Sequence, residues 1–264
     1  MPAIPYWHVD AFAPQAFAGN QAAVMIYEDG FPPDAIMRKI GNENNFAETA
    51  FLVPHDGEDA DWQLRWFTPE CEIRMCGHAT LASGHVILEQ GGGDVVRFLT
   101  REVGVLTVRK AEIGYELALP AIPTQPGEWP EAIAALGAEP VAVMRSPDRY
   151  NIFLYESDAQ VRALKPDFTA LGAMGDHQFI CTAPGEATDI VSRVFVPGAG
   201  VPEDSVTGSA HAALTPFWAE RLGRTGFTAF QTSQRGGLLA CTLEDGTAWL
   251  GGPCTTVVEG MFRY

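Results

Sequence analysis

The stretch RMCGHATLASGH, residues 74–85, places a thiol, a glycine and an imidazole at the start of a predicted helix. The stretch TGSAHAAL, residues 207–214, repeats this helix start without the cysteine. Each stretch follows a predicted strand ending in F-x-P, at Phe67 or Phe195, and then an irregular loop. The shared order of strand, loop and apolar helix predicts an internal duplication. Chance recurrence is the competing interpretation, because F-x-P and G-x-A are short patterns.

Each of these helix starts predicts a binding site for an anion. The first turn of a helix leaves backbone N–H groups unpaired at the positive end of the helix dipole. Gly77 and Gly208 lack side-chain bulk, so a ligand can approach the backbone. Two such helix starts facing one cleft would bind a small carboxylate.

The composition indicates a globular chain with a strongly negative surface. The chain has 264 residues, of which 47% are hydrophobic, enough for one large domain or two small ones. Its net charge of −16 repels phosphate backbones and anionic lipids, which argues against nucleic-acid and membrane-surface binding. Five cysteines without a C-x-x-C pair, and no signal-peptide pattern in residues 1–12, predict a reduced, cytoplasmic protein.

Short strand patterns separated by few helices predict an α+β fold with mixed or antiparallel sheets. Asp34 is the predicted N-cap of a helix that ends near residue 42. Residues 121–130 contain three prolines and a glycine, and they predict a linker between two halves of the chain. Further helices are predicted at 77–90, 130–136, 158–164 and 208–222.

Glu48, in FAETAFL (46–52), is the candidate catalytic residue. Strand alternation places it on one face with Phe46, Ala50 and Leu52. A carboxyl group desolvated by apolar neighbours holds a proton more readily, which suits a group that takes and returns a proton near neutral pH. The opposite face of the strand is equally apolar, so the pattern leaves both orientations of Glu48 open.

Cys76 is a possible second reactive group. A helix N-terminus lowers the pKa of a thiol, and two thiolates on opposite sides of a substrate can racemise a carbon. The matching position in the second stretch is Thr207, which cannot act as that base. A small buried residue is the alternative interpretation of Cys76.

The remaining polar candidates indicate binding rather than a separate chemistry. The spacing of Cys71, Cys76, His78 and His85 is not that of a zinc site, so no metal is predicted. Asp204, Ser209 and His211 lie close together, but the G-x-S-x-G pattern of a serine hydrolase is missing. Asp204 is expected either to brace its loop or to bind a polar group of the substrate. His211 is expected to pack on its helix, and Asn20 to present its amide to the cleft or only to form a turn.

Four motifs together resemble the PhzF, or phenazine-biosynthesis-like, isomerase family. They are FAGNQAAV (17–24), NNFAETAF (44–51), CGHATLA (76–82) and VPEDSVTGSAH (201–211). They span the chain in the family's order. The resemblance implies a fold like that of diaminopimelate epimerase, with two pseudo-symmetric halves that each curl a sheet around a central helix.

The resemblance also implies how the halves divide and where the site lies. The N-terminal half would comprise residues 1–118 with a C-terminal strand, 253–264, and the other half residues 119–252, with the active site between them. Glu48 matches the family's catalytic acid–base glutamate. The substrate-lining positions correspond to Gly77, His78, Asp204, Gly208 and Ser209. No cofactor is expected. The chain is expected to form a homodimer.

The resemblance implies a reaction like that of trans-2,3-dihydro-3-hydroxyanthranilate isomerase, in which one glutamate moves a proton along a conjugated carboxylate. Gln21 and Ser205 stand where family members often have proline, which affects loop stiffness but removes no reacting group. Two alternatives remain open. One is an amino-acid racemase or epimerase using Cys76, and the other is a non-catalytic binder of small carboxylates.

Overall fold

The structure is a computed structural model that describes residues 2–264. The chain divides into two compact units. Unit 1 comprises the residues up to Leu119 together with Gly251–Tyr264, and unit 2 comprises Pro120–Leu250. Among the described residues, every helix is too short or too polar to cross a membrane.

Unit 1 is built from strands around one buried helix. Its helices are α1 (Asp34–Asn44) and α2 (Gly77–Glu89). Its strands, numbered in chain order with those of unit 2, are β1 (Ala3–Ala11), β2 (Asn20–Ile26), β3 (Glu48–Pro54), β4 (Trp62–Phe67), β5 (Glu72–Ile73), β6 (Val95–Leu99), β7 (Val105–Lys110), β8 (Tyr115–Pro120) and β18 (Cys254–Arg263).

Helix α2 is the centre of unit 1. Eleven of its thirteen residues are buried, and it contacts strands β1, β2, β3, β6, β7 and β18. A helix that is apolar all round must be enclosed by its partners, and the sheet therefore curls around it. Helix α1 covers the other face of the sheet, where Met37 and Ile40 pack with Phe51 and Val53 of β3. Both faces of β3 are buried for this reason.

Unit 2 contains the remaining elements. Its helices are α3 (Pro130–Leu136), α4 (Asp158–Ala163), α5 (Phe168–Ala173) and α6 (Gly208–Leu222). Its strands are β9 (Gln125–Gly127), β10 (Ala142–Arg145), β11 (Tyr150–Leu154), β12 (Gln178–Pro184), β13 (Ile190–Val196), β14 (Val201–Asp204), β15 (Gly226–Gln231), β16 (Gly237–Glu244) and β17 (Thr247–Gly252).

Helix α6 is the buried helix of unit 2 and tolerates an internal proline. Pro216 has no N–H, so the carbonyl of Ala212 loses its helical partner. The backbone N–H of Ile122 donates to that carbonyl at 3.0 Å instead. The hydrogen-bond loss is thus compensated, and α6 continues to Leu222.

The two units repeat one order of strand pairing. In unit 1, β1–β2 is antiparallel, β2–β3 parallel, β3–β4 and β4–β5 antiparallel, β4–β6 parallel and β6–β7 antiparallel. In unit 2, the six pairs from β10–β11 to β15–β16 follow with the same directions. In each unit the buried helix follows the short fifth strand of this series. The predicted α+β fold with two pseudo-symmetric halves is confirmed.

A repeated ion pair supports this duplication at the level of side chains. Two residues before Phe67, Arg65 bonds to both carboxylate oxygens of Glu72, each at 2.7 Å. Two residues before Phe195, Arg193 bonds to both oxygens of Glu203 at 2.8 and 2.9 Å. In both units the phenylalanine pairs across the sheet with the glutamate.

Several details differ from the sequence-based expectations. Pro33, not Asp34, is the N-cap of α1, because its extended backbone presents a carbonyl to the N–H groups of Ile36 and Met37. The predicted linker contains strand β9, which pairs with β10. Helix α5 and the short strands β5 and β14 were not predicted, since elements of two to six residues carry little periodic signal.

Candidate active site

The start of α2 leaves its first turn without a side-chain cap. Its N-cap residue, Cys76, has extended backbone angles of φ −138° and ψ 115°, and its side chain makes no capping hydrogen bond of good geometry with the first turn within the part of the chain that is described. Gly77 and His78 follow, and both are buried. The backbone N–H groups of this turn are therefore suited to bind an anionic group.

Glu48 and His78 meet at this helix start. Nε2 of His78 lies 3.0 Å from Oε2 of Glu48, and the two side chains are 6% and 15% exposed. The contact has ion-pair distance, but Oε2 of Glu48 is buried and accepts no hydrogen bond of good geometry from residues 2–264. A buried carboxylate oxygen without a hydrogen-bond partner lowers the stability of the fold unless a ligand or a proton satisfies it.

Asn20 holds the other side of the imidazole. Its Nδ2 lies 3.1 Å from Nδ1 of His78, and Asn20 is 2% exposed. Asn20 is the first residue of β2 and Glu48 the first of β3, and these strands are parallel, with Ala22 opposite Glu48. The N-terminal ends of these two paired strands therefore place Asn20 and Glu48 beside His78.

The charges of this group are coupled. Burial opposes a charge on the His78 imidazole, but Cys76 and Glu48 beside it raise the pKa of His78 well above its usual range. Burial, followed by the charge of Glu48, raises the pKa of the Cys76 thiol to about 11. Sγ of Cys76 lies 3.6 Å from Nδ1 of His78. At neutral pH, Cys76 is thus a protonated thiol, and the Glu48 carboxylate beside His78 favours a proton on the imidazole ring.

The same three side chains form a possible set of metal ligands. One ligand atom each from Glu48, Cys76 and His78 lies within 4.8 Å of the others. The thiol would have to lose its proton to bind a metal, at a cost that its raised pKa increases. The other two residues weighed for a metal lie elsewhere, since Cys71 is in an exposed turn and His85 contacts Thr256 of β18 at 2.8 Å.

The start of α6 in unit 2 has the same form. Its N-cap, Thr207, has φ −112° and ψ 102°, and its side chain leaves the first turn uncapped in the described chain. Gly208 is buried and Ser209 half-buried. Nε2 of Gln178, the first residue of β12, donates to Oγ of Ser209 at 2.9 Å. Gln178 was not singled out from the sequence.

Asp204 braces the loop that leads into α6. Oγ1 of Thr207 donates to Oδ2 of Asp204 at 2.6 Å. The side chain of Gln231 spans the same loop, because its Nε2 donates to the carbonyl of Asp204 and its Oε1 accepts from the N–H of Thr207, both at 2.8 Å. The structure therefore shows the bracing contact, and a contact between Asp204 and substrate stays a prediction.

His211 is a structural residue of α6. Its ring is fully buried, Nδ1 lies 2.8 Å from the carbonyl oxygen of Thr207, and Nε2 lies 3.3 Å from Oγ of Ser192. Burial lowers the pKa of His211 to about 4, and the neutral ring satisfies both contacts. This agrees with the expectation that His211 packs on its helix.

The structure thus brings Asn20, Glu48, Cys76, Gly77 and His78 together in unit 1, and Asp204, Gly208 and Ser209 together in unit 2. The residues that sequence reasoning missed are Gln178 and the two arginines of the repeated ion pairs. The arginines had a visible signal, since R-x-F-x-P occurs at residues 65–69 and 193–197. Gln178 had none, because it is recognised only from its pairing with Ser209.

Two units with one strand order, each enclosing a buried helix, form an α+β fold that this chain shares with a solved epimerase. A hydroxyproline epimerase from Agrobacterium vitis, solved with bound trans-4-hydroxy-L-proline, has this fold, with a TM-score of 0.63 and 12% identity over 98% of this chain and 92% of that one. At this identity the likeness concerns the fold alone.

Closer matches identify the family. The family described as phenazine biosynthesis-like protein, PhzC-PhzF, matches residues 9–260. A Pseudomonas aeruginosa protein named an uncharacterized isomerase is 42% identical over 98% of both chains. A crystal structure of a PhzF-family protein from Enterococcus faecalis has a TM-score of 0.91 and 38% identity over 100% of both chains. The chain belongs to the phenazine biosynthesis-like PhzC-PhzF family.

Proposed function

We propose that this protein is a cofactor-independent isomerase in which Glu48 alone carries a proton between two carbons of a small carboxylate substrate. Membership of the PhzF family makes the chain an enzyme of the isomerase class. The observation that carries the finer proposal is the buried Oε2 of Glu48, which lacks a hydrogen bond of good geometry within residues 2–264 and lies beside the uncapped start of α2.

The proposed proton transfer has two steps. The Glu48 carboxylate takes a proton from an sp3 carbon, so a C–H bond breaks, an O–H bond forms and the electron pair enters the conjugated system of the substrate. The same carboxyl group then returns the proton to another carbon of that system. His78, held by Asn20, orients the Glu48 carboxylate and stabilises its charge.

Substrate binding is proposed to use backbone N–H groups. In a protein with net charge −16, a helix N-terminus binds a carboxylate without a neighbouring lysine or arginine. The N–H groups near Gly77 and His78, and those near Gly208 and Ser209, serve this role in the proposal, with Asp204 contacting a polar group of the substrate. The substrate class is that of trans-2,3-dihydro-3-hydroxyanthranilate, a conjugated carboxylate with a removable C–H proton.

The single-base mechanism is preferred to a two-thiol racemase for two reasons. The raised pKa of Cys76 keeps its thiol protonated at neutral pH. At the corresponding helix start of unit 2, the N-cap is Thr207, whose hydroxyl is far too weak an acid to serve as the second base.

Deuterium incorporation tests the proposal. The wild-type protein, turning over trans-2,3-dihydro-3-hydroxyanthranilate in heavy water, is expected to leave solvent deuterium in the product, because the proton held by the Glu48 carboxyl group exchanges with the solvent before it is returned to carbon. Glu48→Gln should lower the rate by about 10²- to 10⁴-fold, because the amide cannot take the proton. Glu43→Gln, on the exposed side of α1, is the matched control and should behave as wild type. Equal rates for wild type and Glu48→Gln would remove Glu48 from its role.

We also propose that the protein acts as a homodimer, as the family resemblance implies. Sedimentation velocity at micromolar concentration should give twice the chain mass of 28.5 kDa. A species of the single-chain mass would refute this assembly.

A further inference from the structure

The strand register identifies Gln178 as the counterpart of Glu48. Phe67 of β4 lies opposite Thr49 of β3, the residue that follows Glu48. Phe195 of β13 lies opposite Phe179 of β12, the residue that follows Gln178. Each of these phenylalanines is the first residue of the F-x-P motif of its unit. Glu48 and Gln178 therefore occupy equivalent positions in the two units.

The contacts of the two residues are also equivalent. Glu48 contacts His78, the second residue of α2, and Gln178 donates to Ser209, the second residue of α6. A charged pair in unit 1 thus corresponds to a neutral pair in unit 2. The neutral pair can form hydrogen bonds with a ligand, but neither the amide nor the hydroxyl titrates near neutral pH.

Gln178 carries an unsatisfied polar atom at the uncapped start of α6. The residue is 6% exposed, and its Oε1 is buried without a hydrogen-bond partner anywhere from residue 2 to residue 264. Its Nε2 is held by Ser209, so the amide is fixed with the acceptor oxygen unpaired. Leaving such an acceptor buried and unpaired costs stability, and functional sites are where that cost recurs.

We propose that Gln178 is a substrate-binding residue whose Oε1 accepts a hydrogen bond from an amino or hydroxyl group next to the carboxylate bound at the start of α6. The proposal rests on the proposed function, because it assumes a carboxylate substrate. It adds the residue that recognises the hydrogen-bond donor on the carbon next to the carboxylate. It also assigns unit 2 to recognition, since Gln178, Thr207 and Ser209 replace the ionisable groups of unit 1.

A pair of probes that differ by one donor tests this inference. Calorimetric titration measures the Kd of 2-aminobenzoate and of benzoate, which share the carboxylate and differ in the adjacent amino group. In wild type we expect 2-aminobenzoate to bind about fivefold more tightly, as one hydrogen bond to a buried acceptor provides. In Gln178→Met, which keeps the length of the side chain, we expect that preference to disappear. Gln160→Met, on the exposed side of α4, is the matched control and should keep it.

A second variant covers the case in which Gln178→Met does not fold. Gln178→Glu keeps an acceptor oxygen and adds a negative charge, so both probes should bind more weakly while 2-aminobenzoate stays preferred. Thermal unfolding of each variant identifies any loss of fold. The inference is overturned if wild type and Gln178→Met show the same ratio of Kd values, if Gln178→Glu leaves both Kd values unchanged, or if wild type binds neither probe at millimolar concentration.

The binding test is separable from the isomerase mechanism. Glu48→Gln should keep the preference for 2-aminobenzoate, since Glu48 belongs to the other helix start. If Glu48→Gln retained full deuterium exchange while Gln178→Met lost the preference, the proposed mechanism would fall and the binding role of Gln178 would stand. If Glu48→Gln lost deuterium exchange while Gln178→Met kept the preference, only the role of Gln178 would be overturned.

Discussion

Nε2 of His78 lies 3.0 Å from Oε2 of Glu48, while Nδ1 of the same ring lies 3.1 Å from the amide of Asn20. The imidazole is therefore fixed between a carboxylate and an amide that come from the first residues of two parallel strands. A ring held in this way can set the direction of the Glu48 carboxylate without itself reacting.

His78→Gln should separate orientation from proton transfer. The variant keeps a polar side chain but loses the ring nitrogen Nε2 that faces Glu48, so the carboxylate becomes free to reorient. We expect kcat to fall by about 10²-fold, the cost of a misplaced catalytic group, with KM changed much less. Steady-state kinetics over pH 6–9 measure both parameters. A variant with unchanged kcat would show that the ring does not position Glu48.

Cys76→Ala should retain most of the isomerase activity. The thiol has a pKa raised to about 11, so at pH 8 only about a thousandth of it is thiolate, and proton transfer does not depend on it. We expect kcat within about threefold of wild type, whereas a thiol-based racemase would lose about 10²-fold or more. A chelator should leave both proteins unchanged.

Alkylation gives an independent measure of the Cys76 thiol. Iodoacetamide should modify exposed Cys71 readily at pH 8 and leave Cys76 unmodified, with labelling of Cys76 rising only as the pH approaches 11. Mass spectrometry of the two peptides reports both rates in one sample. Rapid labelling of Cys76 at pH 7 would contradict the buried, protonated thiol.

His211 should make the fold sensitive to mild acid. Its pKa is about 4 when folded and ordinarily 6.5, so as the pH falls below 6.5 the unfolded chain binds the proton first. The stabilising contribution is complete above pH 6.5 and is lost as the pH falls toward 4. At pH 5 the loss is about 2 kcal/mol. Urea unfolding at pH 7 and pH 5 should show this extra loss in wild type and not in His211→Gln.

Gly84→Ala should destabilise unit 1 through the packing of α2. A Cβ at position 84 would lie 2.4 Å from Cγ1 of Val108 in β7. Overpacking of this kind costs about 1–3 kcal/mol in the free energy of unfolding. Gly260→Ala in β18, where a Cβ meets no atom within 4 Å, is the control and should change stability by less than about 0.5 kcal/mol. Adding Val108→Ala to Gly84→Ala should cost less than the sum of the single effects.

The sequence predicted the long elements and the duplicated helix starts correctly. Helices α2 and α6 begin within CGHATLA and TGSAHAAL, because small residues followed by a continuous apolar run are typical of a buried helix. His78, which contacts Glu48, and Asn20, which contacts the other side of the His78 ring, were both named as candidates from the sequence. Their mutual distances were not predictable, since they depend on the parallel pairing of β2 with β3.

The orientation of Glu48 could not be predicted from the alternation of residues along β3. Every residue of β3 from Thr49 to Val53 is buried, because α1 covers one face and α2 the other. Strand alternation distinguishes a buried face from a solvated one, and here both faces are buried. Phe51 and Val53 pack with α1, which leaves Glu48, Ala50 and Leu52 on the side of α2.

By itself, the sequence determined the α+β class, the two repeated helix starts and the family, because periodicity, glycine positions and motif order are local properties of the chain. Only the tertiary structure decided that Glu48 meets His78 and that Gln178 takes the corresponding place beside Ser209. Those pairings arise from strand register, which joins residues far apart in sequence and leaves no local trace.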